Sequence, residues 1–258
     1  MWSSSFIARE LTPLRGDTWR VAENPEAMAR LLTGDPVEAP AVLLDLIGGR
    51  ERDYPPECRH LHFLLKAPFE RREREPPVSR FRRRRAQHRA LYLAEHRETA
   101  LAEFSYHQLI FFTASDGYPW PSRPRPVVVL RAHYATEHGV DLTVAPFAAN
   151  REVWADPEDY AQTQAFGDAA HAATAQAIRF ESVRDPKQRA NVALLSCTAI
   201  DSPMPLDLQP WAAAIEPRRV TLYITLPGYP ATAITFERST FEVAGRLPRP
   251  RGHELHKT

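Results

Sequence analysis

Apolar and polar positions change period several times along the chain, and each change marks a predicted element. Residues 1–66 read mainly as helix: Asn24-Pro25-Glu26 opens a short helix through Leu32, and Pro40 precedes a second apolar segment that Gly48-Gly49 ends. Ala90-Leu91-Tyr92-Leu93-Ala94 is a short apolar run suited to a buried strand. Directly after it, Ala100, Leu101, Phe104, Phe111 and Phe112 recur at helical spacing, which places Glu103 on that helix beside a core-facing position. Val127–Ala132 reads as a second buried strand. Asp156-Pro157-Glu158-Asp159 has the form of a helix start, with a capping carboxylate, a proline at the first helical position and acids in the first turn. Composition shifts from Pro203 onward. Val220–Leu226 and Ala231–Phe236 alternate like the arms of a hairpin around Pro227-Gly228-Tyr229-Pro230, and the segment after Leu247 reads as a loose tail. The result is a mixed α+β chain (α/β class) in three parts: a helical N-terminal lead-in over 1–66, a core over 67–200, and a C-terminal extension over 201–258.

Composition narrows the class without naming a chemistry. The chain has 258 residues, 43% of them apolar and 25% charged, the balance of a soluble globular protein. Its formal net charge of +1 provides no field that would draw it to nucleic acid or to an acidic membrane. Apolar stretches such as Ala39–Gly48 fall far short of the roughly 20 residues a bilayer crossing needs, and Met1–Leu11 lacks the pattern of an export signal. Cys58 and Cys197 show no CxxC spacing, which favours two reduced structural thiols and a cytoplasmic location. No GxGxxG, GxxxxGK[ST] or HExxH motif is present, so neither a Rossmann turn, a P-loop nor a metal site is expected.

Three features call for chemistry. Arg80, between Ser79 and Phe81, is placed to be held as a bidentate fork for phosphate, whereas Arg82–Arg85 read as a solvated loop. Taken alone, Tyr92 is a core strand residue and Glu103 a solvated helix position. A basic patch of Arg71, Arg72, Arg74 and Arg80–Arg85 would suit a nucleic-acid-binding protein, but Glu70, Glu73 and Glu75 interrupt it and no recognition module accompanies it.

The ordered set Ser79-Arg80-Phe81, Ala90-Leu91-Tyr92-Leu93-Ala94-Glu95 and Glu98-Thr99-Ala100-Leu101-Ala102-Glu103 resembles the RES domain family. Ile178-Arg179-Phe180-Glu181-Ser182-Val183-Arg184-Asp185-Pro186 and Asn191-Val192-Ala193-Leu194-Leu195 resemble that family's later elements. Weaker matches at Thr18–Val21, Asp141–Thr143 and Pro157–Gly167, with Tyr160 and Gln164, extend the resemblance over about residues 18–200. It implies a compact ADP-ribosyltransferase-like fold that takes NAD⁺ as substrate, without a metal, and breaks the nicotinamide–ribose bond. Arg80, Tyr92 and Glu103 are then the catalytic residues; Arg80, Tyr92, Ser182 and Arg184 bind NAD⁺, and Arg184 serves either as an anion contact or as the partner of Asp185.

ADP-ribose would pass to water, to phosphate or to a protein side chain, so the activity is that of a hydrolase or a transferase. The resemblance also implies the toxin half of a toxin-antitoxin pair, held inactive by an Xre-type helix-turn-helix antitoxin, and is compatible with a homodimer. The chain departs from the family pattern at Arg82–His88 and at Phe180-Glu181, where a carboxylate stands beside the expected pocket; a family member with an inactive site is the alternative this raises.

Overall fold

The computed structural model describes residues 2–23, 53–71, 78–114, 117–224 and 231–251. The longest strand, β3 (Arg125–Asp141), organises the molecule. Antiparallel to it runs β1 (Thr12–Glu23), in a register that sets Trp19 opposite Arg131. β2 (Leu91–Ala94) meets β1 at Trp19 and Ala94 and pairs antiparallel with β5 (Ala190–Leu194). β5 in turn pairs with β4 (Ala177–Glu181), which lies parallel to the end of β3. The order β1-β2-β5-β4-β3, returning to β1, closes a barrel-like ring without free edges. β6 (Asp207–Glu216) adds to the first half of β3 and carries β7 (Arg219–Ile224) and β8 (Ala233–Glu237) outward. The expected hairpin is therefore present, its turn at 227–230 lying outside the described residues.

Among the described residues the helices are α1 (Ser4–Arg9), α2 (Phe63–Lys66), α3 (Arg97–Ala114), α4 (Arg151–Trp154) and α5 (Ala161–Ala172). Alternation along β3 divides the core between two faces. Leu130, Ala132 and Tyr134 join Leu65, Leu91, Leu93 and Leu194 on one side, while Val127 and Val129 pack against Leu101, Tyr106 and Leu109 of α3 on the other. α3 buries Ala100 and Leu101 as expected, but Phe111 is 38% exposed. Among the described residues no helix is long and apolar enough to cross a membrane.

Four local expectations are corrected. Residues 12–23, read within a mainly helical lead-in, form β1, because the ladder with β3 pairs their backbone while Leu14 packs on one core cluster and Trp19 and Val21 on the other. The helices expected at 25–32 and from Pro40 lie outside the described residues. At the expected helix start, Asp156 Oδ1 does accept the amides of Glu158 (2.8 Å) and Asp159 (2.7 Å), yet α5 begins only at Ala161. The carbonyls of Asp156, Pro157 and Glu158, which a helix would give to its own amides, accept instead from Arg80, Arg184 and the Arg251 amide.

Cys58 and Cys197 are not free thiols: they form a disulfide with Cα atoms 5.7 Å apart, joining two 3₁₀ turns 139 residues apart in sequence. Finally, the segment after Leu247 is docked through Arg251, because its backbone finds fixed partners in Tyr106 and Glu158; residues 252–258 lie outside the described residues.

Gly167 on α5 marks the tightest approach. A Cβ at this position would stand 2.0 Å from the Phe81 carbonyl oxygen, so helix and loop touch backbone to backbone. Gly167→Ala is expected to destabilise the protein by about 1–3 kcal/mol through overpacking, measured by denaturant titration. An unchanged midpoint would show that the loop yields freely.

Candidate functional site

One cavity, of about 350 Å³, lies between β1, β2, α3 and the Ser79–Phe81 turn. β2 presents Tyr92 to it, and α3, following β2 after only His96 and its neighbours, presents Glu103 and Tyr106. Arg80, Tyr92, Glu103 and Arg184 all line the cavity, so four of the five residues singled out from the sequence meet in one place.

The turn bearing Arg80 is pinned from several sides. Ser79 and Arg82 exchange backbone hydrogen bonds, 2.8 and 3.1 Å. The Tyr92 hydroxyl accepts the Phe81 amide at 3.0 Å and shares a hydrogen bond with Ser79 Oγ at 2.9 Å. Gln164 Nε2 donates to the Ser79 carbonyl, 3.2 Å. Burial pushes His88 below the usual histidine range, and its neutral ring, in the tautomer carrying the proton on Nε2, donates to the Phe81 carbonyl at 2.9 Å. Tyr92 thus presents its ring to the cavity while its hydroxyl, kept protonated because burial raises its pKa, holds the arginine turn.

Arg80 itself is 7% exposed: Nη1 donates to the carbonyls of Trp154 (2.8 Å) and Asp156 (2.9 Å), Nη2 to the Tyr160 hydroxyl (3.3 Å), and the guanidinium lies 4.3 Å from the Tyr160 ring centroid. Of the run read as solvated, Arg83, Arg84 and Arg85 are exposed but Arg82 is buried, since its neighbour Phe81 draws the turn into the core.

Glu103 is held by two donors on one oxygen. Ser182 Oγ and Asn191 Nδ2 each donate to Oε1 at 2.7 Å, and among the described residues no donor reaches Oε2. Ser182 is fully buried behind Glu103 and not on the cavity wall, its hydroxyl also accepting the amides of Arg184 (3.2 Å) and Asp185 (3.1 Å). Ser182→Ala is expected to cost about 1–3 kcal/mol of stability, because it leaves two buried amides without an acceptor, and to slow any reaction that needs Glu103 fixed. Equal stability of mutant and wild type in urea would sink this account.

Arg184 lies 3.8 Å from the Tyr106 ring centroid and donates to the Pro157 carbonyl at 2.7 Å. Of the two roles left open for it, partner of Asp185 is excluded: Asp185 pairs with Arg189 at 2.6 Å and accepts from Thr99 at 2.6 Å, contacts that hold its carboxyl below the usual range against the opposing effect of burial. Glu181, expected beside the pocket, points away from it and pairs with Arg151, because strand alternation gives the inward position to Phe180.

Sequence reasoning passed over Arg20 and Asn191. Arg20 lines the cavity from β1 and donates from Nη1 to the Leu64 carbonyl at 3.0 Å; burial lowers its pKa to about 10, so it stays charged at neutral pH. Its signal was a lone charge inside the alternating Thr18-Trp19-Arg20-Val21. Three guanidiniums, of Arg20, Arg80 and Arg184, therefore face the cavity. Among the described residues none has a carboxylate within ion-pair distance, and Glu103 stands as the one carboxylate of the lining. Such a site offers fixed forks to a phosphate or pyrophosphate and one carboxylate to a developing cation. Among the described residues no group of three or more His, Cys, Asp or Glu side chains is gathered as a metal site.

No curated protein matches the chain. The model of the RES domain matches residues 55–215, a span that holds Arg80, Tyr92, Glu103, Ser182 and Arg184, and the chain belongs to the RES domain family, a toxin-associated, NAD-related group.

Proposed function

We propose that this protein cleaves the bond between nicotinamide and ribose in NAD⁺. The observation that carries the reading is the composition of the cavity: three guanidiniums that have no carboxylate partner among the described residues, and one carboxylate held through a single oxygen. NAD⁺ has the matching charges. Its pyrophosphate takes the guanidinium forks, and its nicotinamide is a flat cation that packs on the aromatic faces of Tyr92 and Phe180.

As the bond to nicotinamide lengthens, its electron pair leaves with the base and positive charge builds on the ribose. Glu103 meets that charge: Oε1 is already committed to Ser182 and Asn191, and Oε2 is left to accept a ribose hydroxyl and to stabilise the oxocarbenium-like centre. Because both donors are in place before the substrate arrives, little reorganisation accompanies the reaction. Water or phosphate then takes the ADP-ribose unit. Loss of NAD⁺ would arrest growth, and on this reading the protein is a toxin whose cognate partner is a helix-turn-helix antitoxin.

Purified protein incubated with NAD⁺, with and without phosphate, tests this through chromatography of the products. Nicotinamide is expected in equal amount to ADP-ribose or its phosphate ester, and faster reaction with phosphate would name phosphate as acceptor. Intact NAD⁺ in the presence of folded protein would sink the reading.

A further inference from the structure

The segment Arg246–Arg251 runs from the end of the outer sheet back to the cavity, where Pro250 forms part of the wall. Its path is held at three points. Leu247 is 4% exposed within the cluster built on α3. The Pro248 carbonyl accepts the Tyr106 hydroxyl at 2.5 Å. Glu158 grips the remainder: its carboxylate takes both ends of the Arg246 guanidinium and the Arg249 amide (3.2 Å), and its carbonyl accepts the Arg251 amide at 2.9 Å.

The same two anchors carry Arg184. Tyr106, fixed through its hydroxyl, lies with its ring under the Arg184 guanidinium, and Pro157, beside Glu158, accepts from Arg184 Nη2. Asp156, one residue earlier, accepts from Arg80. A segment remote in sequence therefore touches Tyr106 and Glu158, the first stacked on Arg184 and the second next to its acceptor Pro157.

We infer that Arg246–Arg251 is a structural wall of the substrate site, which through Tyr106 and Glu158 holds Arg184 in place for the phosphates of the ligand. This rests on the NAD⁺ reading of the cavity. Three consequences fit it. An apolar proline at the wall competes for no phosphate. Tyr106, whose pKa burial raises, remains a donor to Pro248 at all ordinary pH. And the Arg246 pairing keeps the Glu158 carboxyl ionised below the usual carboxylate range.

ADP-ribose, which keeps the pyrophosphate and lacks nicotinamide, is the probe, with affinity read by calorimetry and folding by thermal melting. Arg246→Gln, Tyr106→Phe and a chain ending at Gly245 are each expected to raise the dissociation constant about tenfold, the scale of a weakened charge-assisted contact. Arg246→Lys, which retains the charge facing Glu158, is expected to recover part of the affinity. Should the shortened chain fail to fold, the two full-length substitutions decide. Equal affinity in the folded variants would overturn the inference, and so would tighter binding, which would make the segment a plug. Failure of the wild type to bind ADP-ribose would instead count against the NAD⁺ reading itself.

Discussion

Glu103→Gln is expected to lower the rate of nicotinamide release by about a hundredfold or more, the usual effect of removing one preorganised electrostatic group. The substitution is nearly isosteric, and the glutamine carbonyl can still accept from Ser182 Oγ and Asn191 Nδ2, so the hydrogen bonds that tie α3 to Ser182 and to β5 should persist. What disappears is the negative charge that the proposed reaction sets against the ribose. On the proposed mechanism the loss should fall on the rate constant and leave the NAD⁺ dissociation constant within a few-fold, because there the arginines supply the binding energy and the carboxylate acts mainly in the transition state. Single-turnover kinetics beside equilibrium binding separate the two. Wild-type turnover by the mutant would remove Glu103 from the reaction and with it the mechanism proposed here.

The second large effect concerns stability. Breaking the Cys58–Cys197 disulfide, by reductant or by a paired Cys→Ser substitution, is expected to destabilise the protein by about 4 kcal/mol, since the closed loop spans 139 residues and its release returns much entropy to the unfolded chain. That corresponds to a fall in melting temperature of roughly 10 °C for a chain of this size. Both cysteines are buried, Cys58 at 1% and Cys197 at 3%, so reduction should be slow in the native state. The disulfide also ties down the segment whose Leu64 carbonyl holds Arg20, and the reduced protein should therefore lose NAD⁺ affinity along with stability. Calorimetry with and without dithiothreitol checks the first effect; identical melting curves for verifiably reduced and oxidised protein would show that the pairing adds nothing.

How much of this was legible in the sequence depended on distance along the chain. The strand at Leu91–Ala94 and the helix carrying Glu103 follow each other within a few residues, and local periodicity predicted both. The hairpin of β7 and β8 was equally local. Asp156 shows the limit: its capping chemistry was read correctly and its amide contacts exist, but carbonyls committed to Arg80, Arg184 and Arg251 kept a helix from starting there. Arg82 and Glu181 were misplaced for a related reason, since a charge run and a carboxylate beside a serine say nothing about which face of a turn or strand is inward.

Determined by the sequence alone were the mixed α+β class, the strand-to-helix unit that sets Tyr92 and Glu103 one after the other, and the ordered motifs that mark a RES domain. These depend on residue types and spacings that act within a few turns of backbone. Tertiary structure alone decided the closure of β1 on β3, the disulfide, the two donors on Glu103, the third guanidinium from Arg20 and the docking of Arg246–Arg251. Each of these joins segments far apart in the chain, and such contacts form only when burying the shared core offsets the entropy of bringing the segments together.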